Sequence, residues 1–306
     1  MEDYWVWLNG EFVRRAEARL PMTDRGFRLG DNVFDTLRTF NGKLFKLEEH
    51  LDRFARSLKY ARIDPTVSIS DFGRLLLETV QKNEPIRQSE NDDYMISTIV
   101  TRGAGQPITE ATNPTVSVFI DPIDFVAYEP IFKSGGSAVI TRTRAMSSQQ
   151  MDPKVKNYSR LHYVMADLEA ADVDPKAFGV LLDMEGHVAE VNGANVFIVT
   201  DGVVRTPTDD ALLQGVSRET VFELCHQLGI PTAEEKLQPY DIYTADEMFL
   251  SSTPYCMLPI GTVDKRSLND DAPGPITKQL LAAWSEMVGI DIVDQTNERA
   301  KALSGN

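Results

Sequence analysis

The stretch DPKVKNYSRLHYVMADLEA, residues 152–170, sets Lys156 between a proline-fixed segment and the start of an apolar helix. Pro153 biases the residue before it toward extended geometry. From Leu161, the apolar residues Val164, Met165 and Leu168 fall at +3, +4 and +7, the spacing of one helix face turned to a core. Lys156 therefore stands at a strand-to-helix junction, where its stem can turn inward. Most lysines are solvated, so its meaning rests on what else the chain supplies.

The chain's 306 residues suffice for two domains, each with its own core. Hydrophobic content of 42% and charged content of 25% are those of an ordinary soluble globular protein. No apolar run approaches the roughly 20 residues of a membrane span, and MEDYWVW carries no signal-peptide pattern. A net charge of -15 argues against nucleic acid as a partner, since phosphate backbones need a basic surface. Cys225 and Cys256 form neither a CxxC nor a disulfide framework, which fits a reducing cytoplasm. His50, His162, His187 and His226 are scattered without HxH or HExxH spacing, so no metal site is expected. There is no GxSxG elbow and no Walker sequence. An enzyme of this composition draws its reactivity from an organic cofactor.

WVWLNGEFV (5–13) and VFDTLRTFNGKLFKL (33–47) each read as strand, Asn-Gly turn, strand. Apolar spacing predicts a helix over 47–61, and SISDFGRLLLETVQKN (68–83) reads as a second helix capped by Ser70. YMISTIVTRG and TVSVFIDP close a first α/β domain at residue 122; 123–136 is weakly periodic and reads as a linker. A second domain, 137–306, holds SAVITRTRAM, the Lys156 helix, the short strands FGVLLD, HVAEV, NVFIVT and GVVRTP, a helix over 217–228, the strand DEMFLSST and a closing helix after PGP. The polar tail from Asp294 is expected to fray.

Pyridoxal phosphate makes definite demands on a chain. A lysine must form a Schiff base and then move protons. A carboxylate must keep the pyridine nitrogen protonated. The phosphate needs helix N-terminal N–H groups, hydroxyls and a basic side chain. Lys156 offers the amine, and Glu190, in HVAEVNGANVFIV, offers the carboxylate. Gly215-Val216-Ser217-Arg218 opens a helix, Ser252 and Thr253 end a buried strand, and Arg53 lies in EEHLDRF. Each feature alone has a plainer reading, as a surface charge, an N-cap or a local turn. Their order along the chain is the informative part.

The blocks DRGFRLGDNVFDTLR, LFKLEEHLDRF, VKNYSRL, EVNGANVF, LLQGVSR, ADEMFLSST and PGPITK, spread from Trp7 to Val288 or just beside it, resemble the class IV aminotransferases. That family of fold type IV pyridoxal phosphate enzymes includes branched-chain, D-amino-acid and (R)-amine transaminases and aminodeoxychorismate lyase. The resemblance implies two α/β domains with the cofactor between them, a homodimer, and ping-pong transfer from an amino donor to a 2-oxo acid acceptor. It implies Lys156 as the Schiff-base lysine, favoured over Lys154 by the K-x-x-[NS]-R-L pattern, and Glu190 as the partner of the pyridine nitrogen. Arg53, Val216, Ser217 and Thr253 match the phosphate cup, with Ser252 contributing through its backbone, and Arg160 stands near the ring hydroxyl.

The family's substrate signatures are mostly missing. Where branched-chain members carry Tyr-x-Arg before the TRG block, this chain has Met95 and Ser97. Where D-amino-acid members carry a Tyr it has Phe34, and its loop GAGQPITEATNP (103–114) lacks their Arg-x-His. MDPKVKNY (151–158) looks most like the (R)-amine transaminases, although Pro254 and Tyr255 replace the small residues usual there. Arg28, Arg38 and Arg102 are candidates for a substitute carboxylate contact. An (R)-amine or D-amino-acid-like range is thus expected first, branched-chain L-amino acids second, and a lyase of the aminodeoxychorismate type third. A non-catalytic binding protein on this fold is disfavoured by the presence of both Lys156 and Glu190.

Overall fold

Asn9-Gly10 and Asn41-Gly42 turn the chain with positive φ at all four residues (48°, 106°, 50° and 72°), as two-residue hairpin loops require. These turns belong to a computed structural model that describes residues 3–90, 92–105, 113–268 and 272–305. Two units emerge: Met1–Ile123 with Val155–Ser159, and Asp124–Lys154 with Arg160–Asn306.

In the first unit the strands are β1 (Trp5–Leu8), β2 (Glu11–Arg14), β3 (Asn32–Phe40), β4 (Lys43–Leu44), β5 (Tyr94–Thr101) and β6 (Val116–Pro122). They form an antiparallel sheet in the order β2-β1-β6-β5-β3-β4. A short helix α1 (Arg25–Leu29) precedes β3; α2 (Leu47–Ala61) and α3 (Ile69–Glu90) supply Leu51, Phe54, Phe72 and Leu76 to a core shared with Val33, Leu37, Ile96 and Val118. α2 has the expected bounds. α3 does not: its first turn is capped by Ser68, whose Oγ accepts the Asp71 N–H at 3.1 Å, so the Ser70 assignment is corrected. Nor does α3 stop at Asn83, because that side chain binds the Trp5 backbone through both its Oδ1 and Nδ2 and pins the helix to β1.

The second unit opens with helix α4 (Phe125–Ser134), which occupies most of the stretch read from sequence as a linker. Asp124 caps it, and Phe125 and Phe132, two turns apart, are its buried residues. The strands that follow are β7 (Gly136–Arg144), β8 (Phe178–Leu182), β9 (Val188–Val191), β10 (Ala194–Thr200), β11 (Val203–Pro207), β12 (Thr232–Glu235), β13 (Glu247–Ser252), β14 (Cys256–Val263) and β15 (Arg266–Ser267). Their order is β12-β11-β10-β13-β14-β7-β8-β9, with β15 on β14, and β9 pairs back onto β10. Six strands thereby close into a ring, sealed where Glu190 and Asn195 stand opposite each other.

The helices of this unit are α5 (Leu161–Ala171), α6 (Val216–Leu228), α7 (Pro239–Tyr243), α8 (Pro275–Val288) and α9 (Ile292–Leu303). The tail from Asp294 is helical, not frayed: Asp291 accepts the N–H groups of Val293 and Asp294 at 3.0 and 2.9 Å. α5 departs from expectation in a different way. Leu161, Val164, Met165 and Leu168 are 73%, 47%, 45% and 56% exposed, and the helix instead buries Ala166 and Ala170. Close approach explains the choice, since a Cβ added at Gly179 of β8 would meet the Ala166 carbonyl oxygen at 2.7 Å. Among the described residues, no helix is long and apolar enough to cross a membrane.

Candidate active site

Alternation along β3 sends Val33 and Leu37 to the core and Phe34, Thr36 and Arg38 to the opposite face. Asp35 shares the core face yet is charged and 1% exposed. It is balanced by α2: Arg53 binds it with Nε at 2.8 Å and Nη2 at 2.7 Å, and His50 Nδ1 lies 2.7 Å from Oδ1. Burial works to raise the Asp35 carboxyl, but Arg53 and His50 outweigh it and hold it well below the ordinary carboxylate value. Burial also lowers the His50 imidazole, with Arg53 and Lys156 adding to the effect against Asp35.

Segment 155–159 runs beside the free edge of β3. The Phe34 N–H donates to the Lys156 carbonyl at 3.0 Å, the Lys156 N–H to Ser57 Oγ at 3.2 Å, and the Tyr158 N–H to Asn32 Oδ1 at 3.1 Å. Tyr158 stacks on Phe34 with ring centroids 3.8 Å apart, and Lys156 Nζ sits 4.5 Å from the Phe34 centroid. Lys154 goes elsewhere, its Nζ 3.2 Å from Asp152.

In the second unit Glu190, Asn195 and Ser251 are register partners across β9, β10 and β13, 4%, 4% and 1% exposed. Adjacent partners share a sheet face, so the three make a buried polar row. Glu190 Oε2 accepts the Leu213 N–H at 3.0 Å, and Oε1 accepts a hydrogen bond from the Tyr163 hydroxyl. Asn195 Nδ2 donates to the Leu213 carbonyl at 2.9 Å, and a Cβ at Gly215 would meet Asn195 Oδ1 at 2.2 Å, so a larger residue there would displace the Asn195 side chain.

Gly215 is the N-cap of the 13-residue helix α6, whose first turn has no side-chain cap and includes the buried Val216 and Ser217. An uncapped helix N-terminus presents N–H groups and positive potential to an anion. The buried Ser251 hydroxyl has no hydrogen-bond partner among the described residues. Ser252 Oγ donates to the Gly193 carbonyl at 2.5 Å, and Thr253, Pro254 and Tyr255 form the turn into β14, with Tyr255 packed edge-on to Tyr128 at 5.1 Å. A carboxylate, an open helix terminus and a spare hydroxyl in one polar region are the donor set that a phosphorylated pyridine ring needs, so the residues fit pyridoxal phosphate.

The residues singled out from sequence thus fall into two sets. Lys156, Phe34 and Arg53 gather with Asp35 and His50 in the first unit, where Ser97 pairs with Thr36 (Oγ to Oγ1, 2.8 Å) and Met95 stands opposite Arg38. Glu190, Arg160, Val216, Ser217, Ser252, Thr253, Pro254 and Tyr255 belong to the second. Arg160 rests over the Tyr163 ring, 4.3 Å from its centroid, and donates to Asn192. Arg102 serves the fold: its Nε binds Asp31, and Nη1 and Nη2 bind the carbonyls of Arg62 and Ala61, each at 2.8 Å. Arg38 is buried with its guanidinium 4.0 Å from the Phe40 centroid, and Arg28 is exposed. Residues 106–112, part of the loop compared with D-amino-acid members, lie outside the described residues. Sequence reasoning missed Asp35, His50, Tyr163 and Asn195. A charge inside an apolar strand was the one available signal, at Asp35.

Fold and donor set fit a pyridoxal phosphate enzyme. The family model described as "Amino-transferase class IV" matches residues 32–263, and the chain belongs to that family. A Methanocaldococcus jannaschii protein, provisionally named a branched-chain-amino-acid aminotransferase, is 34% identical over 95% of this chain and 99% of its own. The D-alanine aminotransferase of Bacillus licheniformis is 29% identical over 92% and 96%. Among solved structures, the Thermoproteus uzoniensis branched-chain aminotransferase with norvaline superposes with a TM-score of 0.83 at 28% identity, covering 94% of this chain and 96% of that one. The fold is that of the fold type IV aminotransferases, and the activity is that of a class IV transaminase.

Proposed function

We propose that Lys156 carries pyridoxal phosphate, that Glu190 faces its pyridine nitrogen, and that Val216, Ser217 and Thr253, with Arg53 and the Ser252 backbone, receive its phosphate. When bound, the cofactor supplies an aldehyde that takes up the amino group and a ring that withdraws electrons from the substrate. Lys156 moves the proton at the substrate carbon, and Asp35 fixes the Arg53 guanidinium. Glu190 would face the pyridine nitrogen with its carboxylate and so favour the protonated ring. The observation that carries the reading is Glu190 itself, a buried carboxylate on the seam of the ring, fixed at both oxygens by Tyr163 and Leu213.

For substrate, the reading favours (R)-amines or D-amino acids with pyruvate. Its support is Ser97, which stands where branched-chain members place an arginine and pairs with the Thr36 hydroxyl, and the engagement of Arg102 by Asp31 and two carbonyls. A charge-assisted arginine–carboxylate hydrogen bond contributes about 1.5–3 kcal/mol. Dicarboxylate acceptors should therefore bind roughly 10- to 100-fold more weakly than in an enzyme that has that arginine. A branched-chain range is the second reading, supported by the archaeal relatives and by Arg38 on the same strand face. Steady-state kcat/KM for (R)-1-phenylethylamine and D-alanine with pyruvate, set beside L-leucine with 2-oxoglutarate, decides between them. L-Leucine leading tenfold would establish the second reading. Turnover with no 2-oxo acid consumed would point to a lyase.

The same reading makes the protein a homodimer. Its support is the stripe of exposed apolar side chains Leu161, Val164, Met165 and Leu168 on α5. Sedimentation is expected to give twice the 34.2 kDa chain mass. A fully active species of one chain mass would refute it.

A further inference from the structure

We propose that Tyr163 is a positioning residue that holds the Glu190 carboxylate against the pyridine nitrogen; the inference rests on the role given to Glu190 above. Tyr163 lies in the first turn of α5, and its hydroxyl donates a hydrogen bond to Oε1 while the Leu213 N–H donates to Oε2 at 3.0 Å. The phenol is itself held in place. The Arg160 guanidinium covers its ring at 4.3 Å, and Arg160 is tied by Nη2 to Asn192 Oδ1 at 2.6 Å. Asn192 in turn donates to Asp167 at 2.6 Å, which returns the chain of contacts to α5. His162 packs on the phenol ring at 4.0 Å.

Burial, and then the neighbouring Glu190 charge, push the Tyr163 phenol well above its ordinary value, so it stays protonated and remains a donor. A carboxylate has about four acceptor sites, so one fixed at both oxygens still accepts a third hydrogen bond. Hydrogen bonds to the ionised form favour it. A negative charge held in one orientation keeps a pyridine nitrogen protonated more effectively than one free to rotate.

Tyr163→Phe removes the donor and keeps the ring in contact with Arg160 and His162. The readout is NMR of the holoenzyme loaded with pyridoxal phosphate isotope-labelled at the pyridine nitrogen, followed across pH. The nitrogen pKa is expected to fall by about one unit in Tyr163→Phe, a shift equivalent to one charge-assisted hydrogen bond, and further in Glu190→Gln. Alongside it, kcat should fall roughly tenfold while the KM of the amino donor holds. Tyr163→fluorotyrosine has nearly the same shape and donates more strongly, so it should move the nitrogen pKa upward; it keeps the test decisive if the phenylalanine variant misfolds. A wild-type nitrogen pKa in both Tyr163 variants, with a lowered one in Glu190→Gln, would overturn the inference and leave the Glu190 role standing. No change in any of the three would overturn both.

Discussion

Lys156→Ala is expected to lose transamination by roughly 10⁴-fold or more, because in the proposed role one substitution removes both the covalent anchor and the base. A free lysine, with a pKa of about 10.4, is a poor base at neutral pH. An amine held by its covalent link until it is needed would be released uncharged beside the substrate's acidic C–H and could serve there as the base. The variant should still bind pyridoxal phosphate non-covalently, since α6 and its open N-terminus are untouched. Borohydride reduction of the wild-type holoenzyme followed by peptide mapping checks the assignment, with the pyridoxyl group expected on Lys156. A label on Lys154, which the structure directs to Asp152, would displace Lys156 from the role.

Glu190→Gln should reduce kcat by about 100- to 1000-fold, the range measured when one preorganised electrostatic contact at a reacting centre is removed. Glutamine retains the shape, and with its oxygen accepting from the Leu213 N–H its amide NH2 can donate to the Tyr163 hydroxyl, so the fold is not expected to suffer. What it lacks is the charge that favours a protonated pyridine nitrogen. Cofactor affinity should fall much less than rate, because the phosphate contacts are independent of it. Comparing kcat with the pyridoxal phosphate dissociation constant separates the two effects. A kcat near wild type would assign the carboxylate another task.

Local signals carried much of this structure. The Asn-Gly turns and the bounds of α2 follow from turn chemistry and apolar spacing within a few residues of one another, so they are readable in order along the chain. α5 shows the limit. Its apolar stripe was legible, but periodicity cannot say which side meets the sheet, and here the small residues Ala166 and Ala170 win because Gly179 lets the backbones approach. Lys156 and Glu190 were singled out through their sequence blocks. Asp35 and Tyr163 were not, because each acts on a partner far along the chain: Arg53 is 18 residues from Asp35, and Glu190 is 27 from Tyr163. Arg102 looked free in the sequence and is fully occupied by two carbonyls and Asp31, none of which a linear reading could assign to it.

The five residues Val155–Ser159 belong spatially to the first unit, although the sequence on both sides of them belongs to the second. The chain therefore crosses from one unit to the other three times, after Ile123, after Lys154 and after Ser159. This has a consequence for heredity and for engineering. A gene recombined with a relative's at the obvious boundary, after Ile123, would inherit β3 from one parent and the lysine segment from the other. Phe34 would then meet a foreign backbone at its N–H and a foreign ring at the place of Tyr158. Inheritance that respects the folded pieces must carry Val155–Ser159 along with the first unit, as a short second exchange. The lysine is thus a resident of one half of the molecule whose address is written in the other.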